Sequence, residues 1–218
     1  MQDLNADDDD TSFVPFQLRD GTPVCIRAVR PEDRKLIAEG LDHLSPQSRY
    51  FRFLSGMKTI PEVLMQHLTV IDHHDHEAIG VLDMSTDQEV PAAVARYIRN
   101  ADEQDKAEIA VTVVDDYQRR GLGMLLIAVM ATLAQREGIK VLTAIVQREN
   151  RKMLSLLKLF DAEVVRDKTG EYGQGDVVAL ELPLHGSVDD YADERVQQAM
   201  FAAHEIECRL HPDSPDAG

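Results

Sequence analysis

The stretch Ile109-Ala110-Val111-Thr112-Val113-Val114, followed three residues later by Gln118-Arg119-Arg120-Gly121-Leu122-Gly123-Met124, decides how this chain is read. The first part is rich in β-branched residues and reads as a largely buried strand. Asp115-Asp116-Tyr117 breaks it. From Leu122 to Gln135 the residues are mostly Leu, Met, Ile and Ala, too long a run for an ordinary strand and full of strong helix formers, and Gly138 supplies the stop. Strand, glycine turn and helix together aim several backbone N–H groups at one place, with the positive end of the helix dipole behind them. A phosphate fits such a place. Glycine at 121 and 123 lets the backbone come close to a ligand, and Arg119 and Arg120 could add charge-assisted bonds to its oxygens. Two better-known phosphate loops do not match: the third glycine of the dinucleotide fingerprint is missing, and no Gly-Lys-Ser/Thr follows.

The spacing instead resembles motif A of the GNAT acetyltransferases, Gln/Arg-x-x-Gly-x-Gly/Ala, whose loop holds the pyrophosphate of acetyl-CoA. Further along, Gln147-Arg148-Glu149-Asn150 ends a second apolar run and opens a helix-like Arg151 to Phe160. This is similar to the family's next strand and helix, where an asparagine lines the CoA arm. The resemblance covers residues 24 to 184, and segments 45 to 54 and 95 to 123 look most like bacterial protein-lysine acetyltransferases of the Pat type. It implies a GNAT fold of the α/β (α+β) class: a central mixed, mostly antiparallel sheet flanked by helices, here with an extra C-terminal helix. The cofactor-binding residues it implies are Gln118, Arg119, Arg120, Gly121, Leu122, Gly123 and Met124, the helix-opening Asn150, and backbone groups of Val111 and Val113 that would pair with the pantetheine arm like an added strand.

Acetyl transfer to an amine needs a neutral nucleophile, so an ammonium must lose a proton to a positioned base. Glu108 begins the strand leading into the loop and matches by position the strand glutamate that serves as general base in Pat-type enzymes. Alternation puts Glu108, Ala110, Thr112 and Val114 on one face of the strand and Ile109, Val111 and Val113 on the other. At the start of an otherwise apolar element, desolvation would raise the pKa of Glu108. An N–H of the same strand could polarise the thioester carbonyl. The sequence departs from the commoner family pattern twice. Leu157 stands where many relatives have a Tyr that protonates the departing thiolate, and Asp161-Ala162 stands where Gly-Phe is usual.

The rest of the chain supports one domain. Phe13 to Leu18 and Val24 to Val29 flank Arg19-Asp20-Gly21-Thr22 as a hairpin. Arg30-Pro31-Glu32-Asp33 opens a helix with Leu36, Ile37, Leu41 and Leu44 on its apolar face, and Ser45-Pro46 ends it. A second helix is expected from Ser48 and a third over Pro61 to Thr69. Strands are expected at Ala78 to Asp83, Ala92 to Arg99, Val141 to Val146, Ala162 to Arg166 and Val177 to Leu182. Asp72-His73-His74-Asp75-His76 matches no established metal spacing and reads as a polar loop, with no metal expected; His76 could instead line an acceptor pocket. Arg49-Tyr50-Phe51-Arg52-Phe53 reads as helix packing with snorkelling arginines, although in GNAT enzymes this region borders the acceptor groove and would favour acceptors with acidic neighbours.

Net charge is −16, but residues 1 to 12 hold five Asp and no base, and residues 187 to 218 hold eight acids against two arginines. That leaves 26 acids and 21 bases for residues 13 to 186. Such acidity disfavours nucleic acid and anionic membrane as partners and suits a cationic amine. Cys25 and Cys208 match no metal or redox pattern, and no spanning stretch or leader pattern is present, so a reducing, cytoplasmic setting is expected. The expected division is an acidic disordered tail at 1–12, the acetyltransferase domain at 13–186, an amphipathic helix at 187–210 and a tail at 211–218. Ser187-Val188-Asp189-Asp190 resembles the start of that helix, which would either cover its own domain or dock on a second subunit as a homodimer. The expected function is transfer of an acetyl group from acetyl-CoA to a primary amine, above all a protein lysine, by direct transfer with Glu108 as base. The alternatives are a small-amine acetyltransferase, an acyl-CoA-binding regulator with little turnover, and an acidic interaction module.

Overall fold

A computed structural model describes residues 13–55, 57–165 and 176–210; the expected acidic tails and the end of the strand reaching Arg166 lie outside the described residues. Eight strands form one sheet in the order β1-β2-β3-β4-β5-β6-β8-β7. They are β1 (Phe13–Gln17), β2 (Pro23–Ala28), β3 (His76–Asp83), β4 (Val90–Arg99), β5 (Lys106–Val113), β6 (Val141–Gln147), β7 (Glu163–Val165) and β8 (Val177–Pro183). Every neighbouring pair is antiparallel except β5 and β6, which run parallel. Parallel neighbours need a crossover. Helix α4 (Leu122–Arg136) supplies it, and its apolar residues sit in the main core.

The helices before the sheet are α1 (Arg34–Asp42), α2 (Pro46–Phe53) and α3 (Glu62–Thr69); after α4 come α5 (Arg151–Leu159) and α6 (Glu194–Leu210). Alternation along β5 sorts its two faces as expected. Ala107, Ile109, Val111 and Val113 join the core containing α4, whereas Val114 joins a smaller cluster with Leu41 and Leu44. Helix α1 rests on β4 and α2 on β5, so β5 carries helices on both sides.

Two helix starts differ from the sequence reading. Helix α2 begins at Pro46, because Ser45 acts as its cap by accepting the Ser48 N–H at 3.2 Å, and proline at the first helical position needs no N–H partner. The last helix begins at Glu194 and not at Ser187. Ser187 caps only the 3-10 turn Val188–Asp190, while Asp193 accepts the Arg195 N–H at 2.9 Å and opens α6. The spacing Met200, Ala203, Ile206 and Leu210 does become one buried face, and it packs on α4, β1 and β2. Helix α6 therefore covers its own domain. Tyr191 joins it by packing edge-on against Phe160 at 6.2 Å, which fastens the C-terminal segment to the end of α5.

Candidate active site

Strands β5 and β6 pair only through Lys106–Val141, Ala107–Leu142 and Glu108–Thr143. Beyond Glu108 they diverge. Residues 109–113 of β5 keep β4 on one side and meet no partner strand on the other among the described residues. The cleft so opened measures about 780 Å³, a size that suits a cofactor. Its walls include Glu108, Val111 and Val113 from β5, Gln118, Arg119, Gly121, Gly123 and Met124 from the loop and α4, and Asn150. Sequence-expected residues far apart in the chain thus meet along one groove.

Glu108 sits at the vertex where the strands part. Its side chain is solvent-accessible, but protein crowds the carboxyl within the cleft. That desolvation pushes its pKa above the ordinary carboxylate range, and the Arg52 guanidinium opposes part of the rise. A carboxylate so placed is a better proton acceptor than one in water.

The glycine loop is built from two left-handed residues, Arg119 at φ 64° and Gly121 at φ 96°, leading straight into α4. Such a turn gathers successive N–H groups at the helix start. A side chain at 121 would also bring its Cβ to 3.4 Å from Nε of Arg19. Gly123 matters for another reason: a Cβ there would lie 3.2 Å from the Leu156 side chain, so its absence lets α5 close against α4.

Other expected binding residues hold structural partners. Gln118 donates to the Val113 carbonyl at 3.2 Å, bracing the loop on β5. Asn150 caps α5 by accepting the Met153 N–H at 3.2 Å. Leu122 is fully buried and does not line the cleft. Arg120 turns away from the cleft: it pairs with Asp20 at 2.8 Å, donates to Thr22 Oγ1 at 3.2 Å and lies over the Tyr117 ring at 5.1 Å. By holding the β1–β2 turn it delivers Arg19 to the loop. Arg19, Arg119, Arg151 and Lys152 line the cleft without an ion-pair partner among the described residues. In a chain of net charge −16, four cations without an ion-pair partner among the described residues gather at one groove, an arrangement that suits an anion.

Three further features escaped the sequence. Arg19 reaches the site only through the tertiary position of a hairpin turn. Asp115 accepts from the Ser45 N–H at 3.0 Å and from the Ser45 and Ser48 hydroxyls at 2.9 and 3.0 Å, binding the start of α2 to the end of β5. Arg49 and Arg52, similar in sequence, part company. Arg49 donates to the carbonyls of Leu44 and Asp42 at 3.1 and 3.0 Å, whereas Arg52 enters the cleft.

The run Asp72 to His76 does not converge on one point. Asp72 Oδ1 accepts the N–H groups of His74, Asp75 and His76, His73 bonds Glu77 at 3.0 Å, His74 bonds Glu137, and His76 stacks on His67 at 5.0 Å. His76 does not line the cleft. Leu157, at the position of the family's tyrosine, is buried against the core beside the cleft.

Comparison with known proteins agrees with this geometry. Residues 43–161 match the model of the acetyltransferase (GNAT) family. Acetyltransferase PA5475 of Pseudomonas aeruginosa is 33% identical over 139 residues, 64% of this chain and 74% of that relative. Acetyltransferase Pat of Mycolicibacterium smegmatis is 30% identical over 157 residues, 72% of this chain but only 46% of that longer relative. The crystal structure of the GNAT domain of S. lividans PAT superposes with a TM-score of 0.69 at 25% identity, covering 79% of this chain and 97% of that domain. Members of this family generally take acetyl-CoA as cosubstrate. With a divergent parallel strand pair, a glycine loop at a helix start and a carboxylate at the vertex, the chain belongs to the GNAT family of acetyltransferases.

Proposed function

We propose that the protein transfers the acetyl group of acetyl-CoA to a primary amine, with protein lysine as the acceptor and Glu108 as the general base. The observation that carries this reading is the position of Glu108 at the vertex of the β5/β6 cleft, opposite the cation-lined end. Arg19, Arg119, Arg151, Lys152 and the backbone of 121–124 would hold the phosphates. The bare edge of β5 at Val111 and Val113 would hold the pantetheine arm, and the cosubstrate supplies the thioester carbonyl. Glu108 takes a proton from the acceptor ammonium, leaving a lone pair free to attack that carbon. A β5 N–H steadies the oxygen as it gains charge. No tyrosine stands at 157 to protonate the leaving thiolate, which departs as the anion when the C–S bond breaks, and the second proton of the former amine passes to it or to water. The lysine acceptor is supported by the Pat-named relative and by Arg52 at the cleft, which suits acidic residues beside the reacting amine. A second reading, an acyl-CoA-binding regulator with little turnover, is favoured by the buried Leu157 alone.

Release of CoA from acetyl-CoA should be measured against lysine peptides, folded proteins and small amines, with wild type and Glu108→Gln compared across pH. Loss of a general base should lower kcat about 10²–10⁴-fold while acetyl-CoA affinity is kept. Because the base must be ionised, wild-type rates should rise with pH through a pKa above the ordinary glutamate value. Unchanged turnover in the glutamine variant on every acceptor removes Glu108 from the mechanism. Cofactor binding with no turnover on any acceptor favours the regulator.

A further inference from the structure

A second, partly open enclosure, about 80 Å³, lies between α1, α2 and strands β2 to β5. Its walls are apolar, with Leu36, Ile37, Leu41, Phe53 and Leu68 among them, but four charged side chains also face it: Arg27, Asp33, Arg52 and Arg96. Two of these cancel. Arg27 and Asp33 form a bidentate pair with both contacts at 2.7 Å.

The other two have no counter-ion in the enclosure. Arg96 is 4% exposed, and among the described residues its guanidinium meets only neutral acceptors, the Leu68 carbonyl from both terminal nitrogens and Nε2 of His76, each at 3.2 Å. His76 is neutral because burial and the nearby Arg96 charge push its pKa down to about 4. Arg52 lies 5.1 Å from the Phe53 ring centre and donates no hydrogen bond to a described residue. Burial lowers the pKa of both arginines, that of Arg96 to about 9, and the Arg52 charge also lowers that of Arg96. Glu108, the acid that acts on Arg52, lines the cleft but not the enclosure. Beside them the Thr112 hydroxyl oxygen is buried without a hydrogen-bond partner among the described residues, and it too lines the enclosure. The buried Arg96 charge has no anion beside it among the described residues, and the half-buried Arg52 has its one acidic neighbour in the cleft, so positive charge here is left largely uncompensated.

One ligand chemistry suits the two guanidinium groups. A carboxylate can accept from two guanidinium groups, while the walls around it require hydrocarbon. At about 10–15 Å³ for each water-sized centre, the space admits roughly half a dozen heavy atoms. We propose that the enclosure is a binding site for a short apolar carboxylate, its oxygens on Arg52 and Arg96 and its hydrocarbon part among Leu36, Ile37, Leu41 and Leu68. Arg52 lines both this chamber and the cleft, so an occupant competes with Glu108 for the same guanidinium. The site does not depend on the identity of the amine acceptor.

The test is calorimetric titration of the full chain with isovalerate and with isovaleramide, its neutral analogue of the same shape. Isovalerate should bind saturably and at least about tenfold tighter than the amide, since hydrogen bonds to charged groups are worth about 1.5–3 kcal/mol. Arg52→Gln should lower isovalerate affinity about tenfold and leave the amide unchanged. Binding should persist with CoA saturating the cleft. Equal binding of acid and amide, no saturable heat, an unaffected Arg52→Gln variant, or loss of isovalerate binding on CoA addition would each overturn the proposal. None of these arms requires Arg96 to be replaced, so the fold is left intact. None requires turnover, so failure here is distinct from failure of the acetyltransferase reading.

Discussion

Replacing Asp115 by alanine removes a carboxylate that ties α2 to the strand entering the glycine loop. Three hydrogen bonds go with it, from the Ser45 N–H at 3.0 Å and from two serine hydroxyls at 2.9 and 3.0 Å. Bonds to a charged acceptor contribute about 1.5–3 kcal/mol each, but here one half-buried group accepts all three and the hydroxyls can turn to water. A net loss of about 2–3 kcal/mol is therefore expected, not the sum. For a chain of this size each kcal/mol moves the melting temperature by about 2–4 °C, so the midpoint should fall by about 4–12 °C. Asp115→Asn keeps one acceptor oxygen for the Ser45 N–H and should lose about half as much.

The pH dependence has a defined sign. Burial pushes the pKa of Asp115 up, but these hydrogen bonds together outweigh it and hold the folded value below the unfolded one. Its contribution is thus complete above the unfolded pKa of about 3.9 and disappears as pH falls through the lower folded value. The gap between wild type and Asp115→Ala should be flat from about pH 7 to pH 5 and shrink below about pH 4. Thermal or urea unfolding across that range is the assay. A midpoint change under about 1 °C at neutral pH, or a gap that persists undiminished into acid, would refute the argument.

Gly123→Asp should weaken acetyl-CoA binding at least about tenfold by placing a carboxylate at the helix start, where the phosphates are expected, while the 3.2 Å contact with Leu156 costs modest stability. Calorimetry of the folded variant checks it, and unchanged affinity removes the phosphate-loop reading. Arg27→Ala should cost about 3–5 kcal/mol, because it leaves the buried Asp33 charge without its bidentate partner. Denaturant unfolding with a native-like m-value would show the loss.

Period-two alternation in β5, the long apolar α4 and the Asp20-Gly21 turn were legible because each signal is local. Helix starts were less so. Ser187 and Asp193 are both acceptable caps, and the choice between them depends on Tyr191 packing against Phe160, which no nearby residue announces. The same limit governed the site. Glu108, Gly121 and Gly123 stood in a readable order, but two adjacent arginines carry no mark of which one leaves. Arg120 was captured by Asp20, one hundred positions earlier in the chain, and Arg19 came to the loop through the same turn. Arg49 and Arg52 were separated likewise, one spent on the carbonyls ending α1 and the other turned inward.

The three-residue junction of β5 and β6 has a consequence for the protein's stability. An open strand edge inside the sheet invites pairing by another chain until something lies along it. A cosubstrate lodged there would complete the ladder, and at a concentration 100 times its dissociation constant it would add about 2.7 kcal/mol to the folded state by mass action. The folded fraction would then follow the concentration of whatever lies along that edge, a link between ligand supply and stability that needs no change of shape.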